Sequence, residues 1–568
     1  MTQKRQLLPI MSWGRDYDRD KLVADLLAAV IVMVMLIPQS LAYALVAGLP
    51  PEMGLYASIL PLMVYTFFGS SRVLSVGPVA VLSLMTAAAL GGLQLASNAE
   101  YIVAALTLAF LSGAFLLILG LLRMGFLANF MSHPVVTGFI TASAVIIILS
   151  QVQHLLGISS HGYTLPELLP SLLVSVTQIN TATALLSLGT LLWLFWSRNG
   201  MSVLLQRMGM SSTRALLLAR TSPVLAVIVT TVVVWYFDLQ AAGIAIVGDI
   251  PSGLPSPTMP SFSLELWQGL AGSAALLAII GFVESVSVAQ GLAAKQRERI
   301  DPDQELIGLG ASNIAAGFSG GFPVAGGFSR SVVNYDAGAA TPAAGFFAAI
   351  LIAVVTLLFV PLLAWLPKAT LAATIIVAVW SLVDFAILRQ AWRYSMADFL
   401  GVSTTIVLTL LAGVEVGVAA GILVSLVVHL YKTSRPHVAI VGELPGTEHF
   451  RNVNRHQVQT YDTILSIRID ESLYFANTRY LEDIIYGMVA ERPNLRHVIL
   501  MCTAVNEIDM SAMDSILTIS TRLDEIGIKL HLSEVKGPVM DGLLRTDFLS
   551  KLSGHVFLSQ HQAVEALK

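Results

Sequence analysis

Residues 320–331 read Gly320-Gly321-Phe322-Pro323-Val324-Ala325-Gly326-Gly327-Phe328-Ser329-Arg330-Ser331, and the place of this run in the chain decides how the protein is built. Glycine is a poor helix former and proline lacks the N–H a helix needs. Yet the run falls in a stretch, Leu306 to Ser329, that has no charged residue. Inside a membrane, broken backbone of this kind is tolerated only where it is buried in protein or lines a cavity. Arg330 follows directly and is expected at membrane depth, where an arginine costs about 2.5–3.5 kcal/mol on insertion scales.

The rest of the chain supports a membrane setting. It has 568 residues, 55% of them hydrophobic and only 12% charged, with a mean hydropathy of +0.76. That is too little charge to coat a soluble protein of this length. Uncharged runs long enough to span a bilayer recur, such as Tyr101 to Leu122 and Ala337 to Pro367. The spacing predicts about fourteen spans, near 22–48, 54–69, 75–92, 101–122, 130–156, 178–196, 222–237, 266–291, 305–318, 327–339, 343–366, 369–385, 398–414 and 416–432. The first run exceeds a secretory h-region of about 7–15 residues, so it reads as a retained helix. An even number of spans puts both termini on one side. The basic groups Lys4, Arg5, Arg15, Arg19 and Lys21, then Lys295, Arg297 and Arg299, then Lys432 and Arg435 make that side the cytosol. Arg198, Arg207, Arg214 and Arg220 read as topology markers of the same sign.

A second break, Ser75-Val76-Gly77-Pro78-Val79-Ala80, lies in the first half of the chain. Interrupted segments in both halves of a transporter point to a binding site. Pro78 follows Gln39 by the same interval that separates Pro323 from Glu284, which suggests two halves of inverted topology. From about Pro436 the pattern changes. Thr463 to Ile469, His497 to Ala504 and Ile528 to Val535 read as strands, and Arg479 to Ala490 and Ser511 to Ile526 as amphipathic helices. Strands alternating with helices indicate a small α/β domain. The expected division is 1–435 for the membrane domain and 436–568 for a cytosolic domain, with Arg451 to Tyr461 as a polar loop.

The residues at the breaks suggest a chemistry. Helices starting after Pro78 and after Gly327 each present roughly half a positive charge and free N–H groups. With Arg330 these sum to about +2, a match for a tetrahedral dianion. Arginine's planar fork suits an oxyanion. Ser329 adds a hydroxyl, and Gln39 and Tyr43 reach in from the first span. Glu284 is the one charge between Leu266 and Ala294. A carboxylate there repels an anion, and burial disfavours its charged form. The expectation is that Glu284 carries a proton when the anion binds, giving proton-coupled symport.

At these residues the chain resembles the sulfate permease family of anion transporters. The resemblance is carried by Ile37 to Ser58, Ser75 to Met85, Asp303 to Pro323 and Gly326 to Ser331, and the C-terminal part is similar to the STAS domain that ends those proteins. It implies fourteen segments in two inverted seven-segment repeats, a homodimer, and an elevator motion. It assigns anion contact to Gln39, Tyr43, Val79, Ala80, Ser329 and Arg330, and proton coupling to Glu284. Sulfate ranks first as substrate. The alternatives are a sodium-coupled bicarbonate or dicarboxylate carrier, or an uncoupled anion exchanger or channel. In related regulators an Asp-Ser-Ser run carries a phosphorylated serine. Here Asp509-Met510-Ser511 breaks that pattern, so Ser511 reads as a helix N-terminal residue, and the domain as a place for the dimer partner or a cytosolic regulator. The setting expected is the inner cell membrane. No motif indicates an enzyme, a cofactor, a metal site or a nucleic-acid partner, and the single cysteine, Cys502, reads as a small buried residue.

Overall fold

A computed structural model describes residues 8–568 apart from 94, 96, 130–131, 213–214, 216–218, 220, 249–252 and 359–362. Lys4, Arg5, Arg214 and Arg220 lie outside the described residues. The chain divides into two compact units, Met1–Ser425 and Leu426–Lys568.

The first unit is helical. Among the described residues five helices are long and apolar enough to cross a membrane: Arg19–Val46 (α1), Asn98–Leu121, His133–Leu156, Leu264–Gln296 and Val414–Ser434. The pair Leu165–Gln178 and Thr181–Trp196, bent by 118°, makes a sixth if taken as one span. Helix occurs in each of the fourteen expected segments, but the remainder are short. The segment near 54–69 is two helices, Pro51–Tyr56 and Leu60–Phe68. Pro61 sits in the first turn of the second, where its ring prevents a helix from running through. By contrast α1 continues unbroken through Pro38.

The breaks are what shape the core. Val76–Gly77 forms a two-residue strand, β1, followed by the helix Ala80–Gly91, α2. In the second half Leu264–Gln296 (α3) and Pro302–Phe318 (α4) precede a matching strand, Ala325–Gly326 (β2), and the short helix Phe328–Asp336 (α5). β1 and β2 pair antiparallel, Val76 opposite Gly326 and Gly77 opposite Ala325. The two interruptions therefore satisfy each other's backbone groups, as burial requires. The matching proline intervals have no structural counterpart. Pro78 follows its strand, whereas Pro323 precedes its own, so the two prolines hold different positions in the two halves.

Close helix packing depends on small residues. A Cβ on Gly113 would stand 2.7 Å from the Gly310 carbonyl oxygen, and one on Gly310 would stand 2.9 Å from that of Gly113. Asn98–Leu121 and α4 thus touch backbone to backbone, the packing mode that stabilises helices in lipid.

The second unit is an α/β domain. Its strands are Val438–Glu443 (β3), Phe450–Asn452 (β4), Ile464–Ile469 (β5), His497–Met501 (β6), Lys529–Ser533 (β7) and Val556–Phe557 (β8), in the order β4-β3-β5-β6-β7-β8. β5 to β8 run parallel and β3 and β4 antiparallel to their neighbours. The helices Thr478–Ala490 (α6) and Met510–Glu525 (α7) lie where helical periodicity placed them. β4 overlaps the start of the expected loop Arg451 to Tyr461. It is three residues long, with only Phe450 buried, and carries too little alternation to be seen beforehand.

Candidate anion site

β1 and β2 bring the two half-helices together by their N-terminal ends. α2 starts after Val79 and α5 after Gly327, and neither start has a side-chain cap. The first-turn N–H groups of a helix lack intrahelical partners. Both ends therefore keep donors and partial positive charge for something else to use.

Arg330, in the first turn of α5, is 2% exposed. Its Nη1 donates to the Pro78 carbonyl and its Nη2 to the Ser75 carbonyl at 3.5 Å. The guanidinium thus crosses from the second break to the first. Its Nε is buried and has no hydrogen-bond partner, an expensive condition for a charged donor. Glu284 Oε2 and Ser75 Oγ are buried without partners in the same region.

Tyr43, Glu284, Val79 and Ala80 gather around this centre. α1 and α3 both pack against α2 and α5. Tyr43 and Glu284 each lie within Coulombic range of Arg330. Tyr43 is buried, and Gln39, one turn earlier on the same face of α1, is half-buried. Val79 and Ala80 are buried at the start of α2. Ser329 is exposed in the first turn of α5.

Several residues that sequence reasoning left out hold the centre in shape. Ser285 Oγ accepts from Gly326 N–H at 2.8 Å and donates to the Gly281 carbonyl, pinning β2 to α3 beside Glu284. Asn313 in α4 accepts from Val324 N–H and donates to its carbonyl, both at 2.9 Å. Ser331 Oγ accepts from Ser75 N–H at 2.9 Å, and Asn334 donates to the Val73 carbonyl at 3.1 Å. The available signal was a polar side chain in an otherwise apolar helix, clearest for Asn313.

In the second unit Asp509 caps α7, accepting from Ala512 N–H at 2.7 Å, and also accepts from Phe475 N–H at 2.9 Å. Ser511 follows in the exposed first turn. Cys502 is fully buried, and burial pushes its thiol up to about 12. Glu443, His561 and Glu565 bring ligand-type atoms within 4.8 Å of one another, a grouping invisible in the linear sequence. The Lys568 ammonium lies against both glutamates, so a cationic partner is already present.

Comparison with known proteins extends this. Residues 22–407 match the Sulfate permease family and residues 455–563 the STAS domain. The chain is 33% identical to the chloroplastic sulfate transporter 4.1 of Arabidopsis thaliana over 98% of its own length and 82% of the relative's. It is 33% identical to a probable sulfate transporter of Mycobacterium tuberculosis, with 98% and 97% covered. In fold it is similar to the murine anion transporter Slc26a9, with a TM-score of 0.88, 23% identity, and 100% and 96% of the two chains covered. The transmembrane domain of the cyanobacterial bicarbonate transporter BicA aligns with a TM-score of 0.61 and 24% identity over 71% of this chain and 98% of that one. Broken, paired half-helices, a polytopic helical core and an α/β tail are thus accounted for together: the chain belongs to the sulfate permease family, as a multi-pass membrane anion transporter with a C-terminal STAS domain and not an enzyme.

Proposed function

We propose that this protein is a secondary active transporter of sulfate or a related oxyanion, coupled to protons through Glu284. One observation carries the reading. Two uncapped half-helix ends meet at β1 and β2, with a buried Arg330 between them whose Nε has no partner. A tetrahedral oxyanion would accept from those N–H groups and from Arg330, with Ser329, Gln39 and Tyr43 closing around it and Val79 and Ala80 supplying backbone contact. The Arabidopsis and Mycobacterium relatives, a sulfate transporter and a probable sulfate transporter, favour sulfate.

Glu284 supplies the coupling. Its Oε2 is buried and unpaired. An ionised carboxylate in that position would oppose an incoming anion in a medium of low dielectric. Protonation removes the opposition, so proton and anion load together. The motion proposed is an elevator, in which α1, α2, α3 and α5 carry the site as one body, within a frame of fourteen segments in two inverted halves. The proposed setting is a homodimer in the inner cell membrane, termini cytosolic, with a regulator or the dimer partner on residues 436–568.

The test is labelled sulfate uptake into proteoliposomes, with and without an acid-outside gradient, challenged by bicarbonate, succinate, molybdate and chloride. Sulfate and molybdate should compete most strongly, and the gradient should drive accumulation. Glu284→Gln should still bind sulfate but lose gradient-driven accumulation. Accumulation by Glu284→Gln that still follows the gradient ends the coupling proposal.

A further inference from the structure

Gly327 has φ −85° and ψ 128°, an extended conformation open to any residue. Its backbone does not call for glycine; the space around it does. A Cβ built there would stand 2.8 Å from Nη2, 2.9 Å from Cζ and 3.0 Å from Nε of Arg330. Three guanidinium atoms at nearly one distance from a point mean that the point lies over the face of the plate. The guanidinium therefore lies flat against the Cα of Gly327. Gly77, on the paired strand, forms the next wall, since a Cβ there would meet Nη2 at 3.4 Å and Cζ at 3.7 Å.

The contact is too tight for a Cβ at Gly327, whereas at Gly77 a Cβ would make ordinary van der Waals contact. Real Cβ atoms do not approach other atoms as closely as the Gly327 geometry would demand. An alanine at 327 must displace the guanidinium or move the start of α5. The guanidinium cannot shift freely, because Nη1 is bonded to the Pro78 carbonyl and Nη2 to that of Ser75. The seat and these two carbonyls together fix its plane and leave Nε as its unpaired donor.

We propose that Gly327 is a positioning residue, forming a seat that holds the Arg330 guanidinium in the one orientation that presents its charge to the anion. The seat rests on the anion-site reading above, and two separate readouts keep the two apart. Gly327 does not touch the anion; it acts through Arg330. A lysine at 330 has no planar group, so it needs no flat seat.

The experiment is a double-mutant cycle on the full-length protein, with Gly327→Ala in the Arg330 and the Arg330→Lys backgrounds and Gly77→Ala alongside. Thermal midpoint in detergent reads the seat, and sulfate KM and kcat in proteoliposomes read its use. Gly327→Ala should lower the midpoint and raise KM about tenfold or more in the Arg330 background, with kcat changed less. Gly77→Ala should change both far less, since a Cβ there makes only ordinary van der Waals contact. In the Arg330→Lys background Gly327→Ala should change neither quantity further. If Gly327→Ala alone does not insert, insertion of the double variant supports the seat, and its failure to insert overturns it. Equal losses of midpoint in both backgrounds overturn it, as does a wild-type midpoint for Gly327→Ala. A midpoint loss confined to the Arg330 background with unchanged KM upholds the seat and refutes the anion-site reading.

Discussion

Arg330 is an expensive side chain wherever it sits in this fold, and its surroundings state what the expense supports. Each Nη donates to one backbone carbonyl while Nε has no partner. Arg330→Gln keeps polar atoms but removes the charge, and should raise sulfate KM at least about tenfold, as loss of a charged hydrogen bond implies; saturation curves in proteoliposomes measure this, and an unchanged KM refutes the anion role. Glu305 is the opposite case, a buried carboxylate with every need met. It accepts from Tyr65 Oη at 2.8 Å, Ser70 N–H at 2.8 Å, Ser70 Oγ at 2.7 Å and Ser71 N–H at 2.9 Å. Asp25 does the same for the segment at 340–341, accepting from Ala340 N–H, Thr341 N–H and Thr341 Oγ1. These acids lock loops. Glu305→Ala orphans its donors and should destabilise the protein by about 3 kcal/mol or more, seen as a lower thermal midpoint in detergent; a wild-type midpoint contradicts the locking role.

Elements in the membrane unit meet through glycine, and this sets what they tolerate. Where Asn98–Leu121 crosses α4, Gly113 and Gly310 allow carbonyl oxygens to within 3 Å of where a Cβ would be. Gly113→Val should separate the pair and prevent monodisperse insertion, whereas Gly189→Val, on a face with nothing within 4 Å, should be tolerated. Size-exclusion profiles of the two variants decide it, and equal behaviour contradicts the close-packing account. β1 and β2 work by the same economy. Two residues each suffice to join the halves, because Ser285, Asn313 and Ser331 take up the remaining backbone groups.

At the scale of the molecule the STAS domain has a pH dependence of its own, set by a buried histidine. His531 is 2% exposed, accepts at Nδ1 from His555 N–H at 3.0 Å, and meets His497 through Nε2 at 3.1 Å. Burial, then the nearby His497, His555 and Lys529, push it down to about 4. An unfolded chain takes up that proton near pH 6.5. Between those values the unfolded state binds more protons, so stability falls as pH drops from about 6.5 toward 4, by at most about 3 kcal/mol. His531→Gln should flatten the pH dependence of the STAS domain's unfolding over that window; an unaltered slope removes His531 as its source.

Much of this protein could be read from the order of its residues. Long uncharged runs cannot be solvated in water, so their number and length were enough to declare a polytopic membrane unit, and the loss of that pattern near Pro436 marked the α/β unit. Glycine and proline inside such runs marked the breaks, because no lipid-facing backbone can go unpaired. What the linear order did not contain was the pairing of Val76 with Gly326, the route of Arg330 to the Pro78 carbonyl, and the flat contact with Gly327. It also suggested equivalent prolines in the two halves where the strands place them differently. The strand pairing and the route of Arg330 join residues some 250 positions apart, the Gly327 contact depends on how α5 starts, and hydrogen bonds and close contacts act only over a few ångströms. Only the folded chain brings such groups within that range.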